Sequence, residues 1–345
     1  MTTPSALSPP STQGRTAPAA PELTLVIPVH NEADVLPTLL NRLTELRLAL
    51  ATTIEFLFVD DGSRDNSVAL LLQARRRLPG IRVLQLSRNF GKEPAVTAGL
   101  HHARGQAVIL LDADLQDPPE LIPEMVAHWR KGADVVLMKR RTRAGESWLK
   151  RTTASAFYRL INRISDAPIP VDTGDFRLMS RRTVDAINQL PERNRYLKGM
   201  FAWVGMPTVT LEFDRDPRLA GQTKWNYLKL MHLAMEGITS FSIRPLRVAL
   251  VLGLAAATTG GLFGAWQVLK ALIMGVSTPG YASMIAIITF LSGIQLLCVG
   301  LLGEYVGRIY LETKQRPVYI IADDSDEHQE DAYQKLRVAN DDTDH

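Results

Sequence analysis

The sequence predicts an α/β domain with a mostly parallel central sheet, followed by amphipathic interfacial helices and a two-helix transmembrane hairpin. Three observations carry this. Short apolar, β-branched runs alternate with helix-patterned segments as far as Met138. Two of those runs end in paired acidic residues. Near the C-terminus, two apolar stretches each exceed the roughly 20 residues that a helix needs to cross hydrocarbon.

Leu23–Val29 (LTLVIPV) reads as a buried strand, and Asn31–Leu50 has helical spacing of Leu and Val. Thr53–Val59 is a second strand that ends in Asp60-Asp61-Gly62-Ser63, with a helix over Asn66–Arg77. Ile81–Leu86 is a third strand, followed by a helix over Pro94–Ala103. Gln106–Leu111 (QAVILL) is a fourth, ending in Asp112-Ala113-Asp114. A helix over Pro118–Lys131 and a strand over Ala133–Met138 complete the alternation. Ser147–Ile164 is patterned as a basic amphipathic helix, and Val171–Met179 and Thr208–Phe213 as further strands. Tyr227–Ser242 is amphipathic.

The apolar stretches run over about 246–274 and 281–302, joined by the short link Gly275–Gly280. Arg244, Arg247, Arg308, Lys314 and Arg316 flank their outer ends, and only Lys270 lies near the link. The positive-inside rule therefore puts both outer ends in the cytosol. The implied organisation is a disordered tail over 1–21, the α/β domain over 22–225, a juxtamembrane segment over 226–245, the hairpin over 246–303, and a cytosolic segment over 304–345 with an acidic, disordered tail.

The chain has 345 residues, a formal charge of +3 and a single cysteine, Cys298. One cysteine excludes an intrachain disulfide and a cysteine-rich zinc site. The N-terminus lacks the continuous apolar run of a signal peptide. There is no G-x-G-x-x-G, so a dinucleotide-binding fingerprint is absent.

Ligands of parallel α/β sheets bind beyond the carboxyl ends of the strands, which is where the acidic clusters fall. Asp112 and Asp114 at a strand end suit a hard cation such as Mg²⁺ or Mn²⁺, with Gln116 as a further oxygen ligand. Asp-x-Asp alone better describes an acidic turn capping a helix; its place directly after QAVILL reverses that preference in favour of the metal reading. Pro28, His30, Asn31 and Glu32 form a polar lip, with Asn31 also readable as a helix cap. Asp61 can accept hydrogen bonds from a ribose or a base edge, or serve ordinary turn chemistry. Arg88 and Lys92 put positive charge beside Gly91 at a helix start suited to anions. Asp175 is a candidate active-site carboxylate, or else a structural partner of Arg177 or Arg181. Arg215, Arg218 and Lys224 lie in a glycine-containing loop ahead of the membrane segments, where they can meet a lipid phosphate or anionic lipid in general.

In order along the chain, SRNFGKE, DADLQDPPE, DTGDFRLMS, RDPRLAGQTKW and SGIQLLCVGLLGEYVGRIYLETKQRP resemble the polyprenyl-phosphate glycosyltransferases of GT-A fold, from about Pro21 to Ile321. This group includes dolichyl-phosphate mannose synthases and bactoprenol glucosyltransferases, and the last string resembles the two-helix bactoprenol branch. The resemblance implies a donor-binding set of Pro28, Glu32, Asp61, Lys92 and Asp112. It implies Mg²⁺ or Mn²⁺ held by Asp112, Asp114 and Gln116. It implies catalytic roles for Asp175, Asp114 and Arg218, and a lipid-phosphate site of Arg218, Lys224 and Arg140, with Arg141 an equivalent choice to Arg140. The expected reaction is inverting transfer of a sugar from a nucleotide donor to undecaprenyl or another polyprenyl phosphate. It would take place at the cytosolic face of a bacterial inner membrane, with both termini cytosolic. The branch points to UDP-glucose; UDP-N-acetylglucosamine, GDP-mannose and an aminoarabinose donor stay open. The expected partners are the donor, the lipid acceptor and the bilayer, without nucleic acid; the glycine-rich hairpin permits homo-oligomers. A phosphate monoester has its second pKa near about 6, so its oxygen needs little help from a base, and Asp175 is expected to orient groups. The rivals are a processive polysaccharide synthase, whose Gln-x-x-Arg-Trp is missing from Gln222-Thr223-Lys224-Trp225, and a non-catalytic membrane adaptor.

Overall fold

The computed structural model describes residues 20–141, 173–193, 195–213, 244–274 and 280–326. The expected helices over 147–164 and 227–242, Arg215, Arg218 and Lys224 lie outside the described residues, as do most of both tails.

Eight strands form one sheet in the order β7-β5-β6-β4-β1-β2-β3-β8. They are β1 (Leu23–Val29), β2 (Ile54–Asp60), β3 (Ile81–Leu86), β4 (Ala107–Leu110), β5 (Val135–Arg140), β6 (Thr173–Ser180), β7 (Thr208–Phe213) and β8 (Ile321–Asp324). β4, β1, β2 and β3 are parallel, as their buried runs suggest. β6 runs antiparallel to both β4 and β5, and β8 antiparallel to β3.

The side-chain alternation of each strand feeds two cores. Leu25, Ile27, Phe56 and Phe58 face α1 (Leu36–Ala49), α2 (Ser67–Ala74) and α4 (Ile122–Arg130). Val26, Leu57, Val59 and Leu84 face α3 (Lys92–His102), α5 (Arg181–Asn188) and α6 (Leu197–Val204). α3 lies close on β1, because a Cβ on Gly99 would stand 2.2 Å from Val26 Cγ1.

Strand direction decides which residues share an edge. β6 is antiparallel, so its first residues lie beside the carboxyl end of β5, with Thr173 opposite Lys139. β7 is parallel to β5 and ends with Phe213 opposite Arg140. β8 begins at Ile321, opposite Leu86 at the carboxyl end of β3. The chain therefore leaves the sheet toward 214–243 and returns from the apolar helices on the same edge. It does so at opposite sides of the sheet, seven strand spacings or about 34 Å apart.

Between these points lie α7 (Arg244–Met274) and α8 (Tyr281–Thr313). At 1.5 Å per residue, α8 is about 50 Å long against a hydrocarbon core of about 30 Å. The windows Ala249–Trp266 and Phe290–Thr313 have a mean hydropathy of 1.5 and no buried residue. Leu254, Leu272 and Leu297 are 67%, 80% and 76% exposed, which a soluble core hairpin would not leave in water. α8 extends well past the expected end at 302. Its Glu312 accepts the backbone N–H of Arg193, next to the α/β domain.

Within the segment after 303, expected as a cytosolic stretch with an acidic tail, residues 321–326 join the α/β domain. Arg82 donates from Nε to both oxygens of Asp324 at 3.0 and 3.2 Å, and Nη1 reaches Glu55 Oε1 at 3.4 Å. Ser325 exchanges hydrogen bonds with Val83 through its hydroxyl and its N–H. Asp326 pairs with Arg75 and Arg104.

Candidate active site

The carboxyl edge of the parallel strands is built from interlocked loops. After β1, Asn31 adopts φ 55°, a conformation asparagine tolerates better than most residues. Asn31 lies five residues before α1, whose N-cap residue Val35 makes no side-chain cap bond. Asn31 instead accepts the Arg64 N–H through Oδ1 at 2.8 Å and donates its own N–H to Ser63. Glu32 donates its N–H to Ser67 Oγ.

The β2 loop in turn holds the β3 loop. Asp61, 4% exposed, accepts the N–H groups of Phe90 at 2.7 Å and Gly91 at 2.9 Å. Gly62, at φ 68°, allows the close approach: a Cβ there would lie 2.6 Å from the Arg88 carbonyl carbon. His30 ties three loops. Its Nε2 accepts from the amides of Asn31 and Asn89, which leaves Nδ1–H to donate to the Asp61 carbonyl at 2.9 Å.

At the end of β4, Asp112 and Asp114 occupy a turn in which Asp114 Oδ1 accepts the Gln116 N–H at 3.2 Å. Leu115 sits at φ 59°, unusual for a leucine and a concentration of backbone strain beside both carboxylates. Gln116 is 4% exposed. Glu32 shares this field: burial, and then the charges of Asp114 and Asp65, hold its carboxyl above the ordinary glutamate range.

Asp175, near the start of β6, arrives from the other side of β4. Lys92 Nζ bridges the two strands, 2.7 Å from Asp112 Oδ1, 2.8 Å from Asp112 Oδ2 and 2.6 Å from Asp175 Oδ2. Burial opposes ionisation of Asp175, but Lys92 and then Lys198 outweigh it and hold its carboxyl below the ordinary range. The structural pairing considered for Asp175 takes another form. The Arg177 guanidinium reaches the carbonyls of Gly174 and Asp175 and stacks 4.1 Å over Phe201, while Arg181 bonds the carbonyls of Ala103 and Gly105. Burial lowers Arg177 to about 10, so it remains a cation at neutral pH.

Three residues absent from the sequence-based set also line this corner: Glu93, Arg177 and Lys198. Glu93 Oε2 accepts the Leu197 N–H at 3.3 Å and so fixes the start of α6 against α3. Burial, with the Asp175 charge adding to it, pushes Glu93 up to about 7.

The edge thus brings together Pro28, Glu32, Asp61, Lys92, Asp112, Asp114, Gln116 and Asp175. Arg140 ends β5 on this edge, with its side chain outside the described residues, and the chain toward Arg218 and Lys224 departs from the neighbouring Phe213. Among the described residues, no group of three or more His, Cys, Asp or Glu forms a ready metal cage. An all-oxygen set of two carboxylates and an amide nevertheless fits Mg²⁺ or Mn²⁺. Mg²⁺ in particular is commonly held by one or two carboxylates together with substrate phosphates.

Residues 24–187 match the model of glycosyl transferase family 2, and residues 244–309 that of the GtrB C-terminal hairpin. The chain is 49% identical to an uncharacterized glycosyltransferase of Synechocystis over 88% of its own length and 95% of the relative's. It is 46% identical to a prophage bactoprenol glucosyl transferase homolog of Escherichia coli K12 over 87% and 98%. It is 47% identical to the bactoprenol glucosyl transferase of Shigella phage SfV, again over 87% and 98%. Among solved structures it resembles a glucosyl-3-phosphoglycerate synthase from Mycobacterium tuberculosis, with a TM-score of 0.46 and 18% identity over 64% of this chain and 78% of that one.

Proposed function

The chain belongs to the polyprenyl-phosphate glycosyltransferases of GT-A fold, and from that premise we propose that it transfers glucose from UDP-glucose to undecaprenyl phosphate, with inversion, at the cytosolic face of a bacterial inner membrane. Transfer of a sugar to a polyprenyl phosphate follows from relatives of 46–47% identity that are named for it. The observation that supports transfer at a membrane face is topological. Asp112, Asp114, Lys92 and Asp175 share the sheet edge from which the chain departs for two exposed apolar helices and to which it returns. A donor diphosphate at that edge would lie close to an acceptor head group held at a bilayer surface.

Asp112, Asp114 and Gln116 would hold Mg²⁺ or Mn²⁺, which offsets charge on the departing nucleoside diphosphate. The remaining work falls to the chain's own groups. The lip of Pro28, Glu32 and the Asp61 loop receives the nucleoside. Lys92, at the N-terminus of α3, offers positive charge to the diphosphate. Arg218 and Lys224, with Arg140, are suited to the acceptor phosphate. Asp175 stays ionised beside Lys92 and Lys198, which suits orientation of the attacking group and electrostatic shaping of the site.

The test is a donor panel. Purified protein with undecaprenyl phosphate and Mg²⁺ or Mn²⁺ is offered UDP-glucose, UDP-N-acetylglucosamine, GDP-mannose and an aminoarabinose donor, and the glycolipid is scored. Glucolipid from UDP-glucose, abolished by chelation, is expected. Product from another donor alone would replace the sugar assignment; full activity under chelation would remove the metal.

A further inference from the structure

Two partners compete for the Asp112 carboxylate. In the proposed reaction it is a ligand of the divalent cation, yet both of its oxygens lie within 2.8 Å of one ammonium group, Lys92 Nζ. A hard cation seated on the same oxygens at about 2.1 Å would stand only a few ångströms from that ammonium, and like charges at such range repel strongly. Lys92 also contacts Asp175 Oδ2 at 2.6 Å, so whatever moves Lys92 changes the acceptor side too.

Resting on the proposed function, we propose that Lys92 is a movable counter-ion that competes with the divalent cation for Asp112, and that the donor diphosphate lifts this competition by drawing Lys92 onto its own oxygens. Displacement frees Asp112 for the cation and Asp175 for the acceptor in one movement. Lysine suits this role: a point charge on a flexible four-carbon stem, here 45% exposed. Its backbone begins α3 directly after Gly91, so a diphosphate meets both the ammonium and the positive end of the helix. Because no third protein carboxylate completes a cage among the described residues, the rest of the coordination shell is left to water and to phosphate oxygens of the donor. Cation and donor should therefore bind with positive coupling that runs through Lys92, and linkage makes that coupling reciprocal.

The experiment measures Mn²⁺ binding directly, by titration calorimetry on the full-length protein in detergent, with and without UDP. The unsubstituted protein is expected to bind Mn²⁺ at least tenfold more tightly with UDP than without. Lys92→Met should gain at least tenfold in Mn²⁺ affinity without UDP and lose most of the enhancement by UDP. Lys131→Met, on the exposed end of α4, should behave as the parent. Lys92→Gln, which can still hydrogen-bond both carboxylates, serves if the methionine variant melts early. If Asp112→Asn abolishes Mn²⁺ binding while neither Lys92 variant changes it by more than twofold, the competition is overturned and the metal assignment stands. If Asp112→Asn binds Mn²⁺ as the parent does, the metal assignment falls, and this inference with it.

Discussion

Two clusters among the described residues have one cation bridging carboxylates, Arg82 between Glu55 and Asp324 and Lys92 between Asp112 and Asp175, and they are built to opposite ends. At the β8 side, Arg82, Glu55 and Asp324 have side chains only 6%, 8% and 6% exposed. Every arm of the Arg82 fork is used, with the His102 carbonyl accepting from Nη1 at 3.0 Å, and Glu55 also accepts from Thr24 at 2.6 Å and from the Arg104 N–H. At the proposed catalytic edge, Lys92, Asp112 and Asp175 are 45%, 23% and 26% exposed. A planar, saturated fork in a dry site fixes one geometry. A point charge on a flexible stem at a wet edge can exchange partners. The same charge pattern is therefore a rivet in one place and a replaceable contact in the other.

The sharpest way to break this contrast is at the wet cluster's carboxylates. Asp112→Asn and Asp114→Asn should each lower sugar transfer to undecaprenyl phosphate by about 10³-fold with little change in melting temperature. A loss under tenfold would remove the acidic pair from the chemistry. Next comes the rivet. Arg82→Met leaves two buried carboxylates without their cation and should destabilise the fold by about 3–5 kcal/mol, read by chemical denaturation. Lys92→Met should cost under about 1 kcal/mol. Equal losses would mean that the two clusters are not different in kind.

Gly62 tests whether the loops of the proposed site are themselves rigid while their charges are not. Gly62→Ala meets both a positive φ and the Arg88 backbone at 2.6 Å, and roughly 1–3 kcal/mol of destabilisation is expected. The effect confined to one pH range belongs to Glu93. Its carboxyl is pushed up to about 7, so between the ordinary glutamate range and that value the folded chain keeps a proton that the unfolded chain has released. Stability then falls as pH rises through this window. Glu93→Gln should be more stable than the parent near pH 8, by on the order of 1–3 kcal/mol, and indistinguishable near pH 4. A pH-independent difference would assign Glu93 a packing role instead.

Much of this architecture was legible in the sequence because it is local. LTLVIPV and IRVLQL announce buried strands by composition alone, and their observed bounds coincide with the expected ones. Asp112 and Asp114 were legible because a strand end is a position as well as a residue type. What escaped was non-local. β8 is four residues, IADD, with little apolar signal of its own, and its partner lies more than 230 residues earlier. One clue was present: an arginine inside the otherwise buried run IRVLQL demands a counter-ion, and the acidic residues after Ile321 could supply it. α5 and α6 are short, eight residues each, and were not anticipated between the last strands. The Lys92 bridge depends on β6 running antiparallel, which no spacing reveals.

The placement of β8 has a consequence for how the protein is made. Arg82 leaves the ribosome 242 residues ahead of Asp324, and α7 and α8 are synthesised in between. Until β8 has been synthesised, Arg82 has Glu55 but lacks Asp324, its bidentate carboxylate partner. Completion of the sheet thereby waits for synthesis of both apolar helices, and a version cut off before them would carry that unfinished edge permanently.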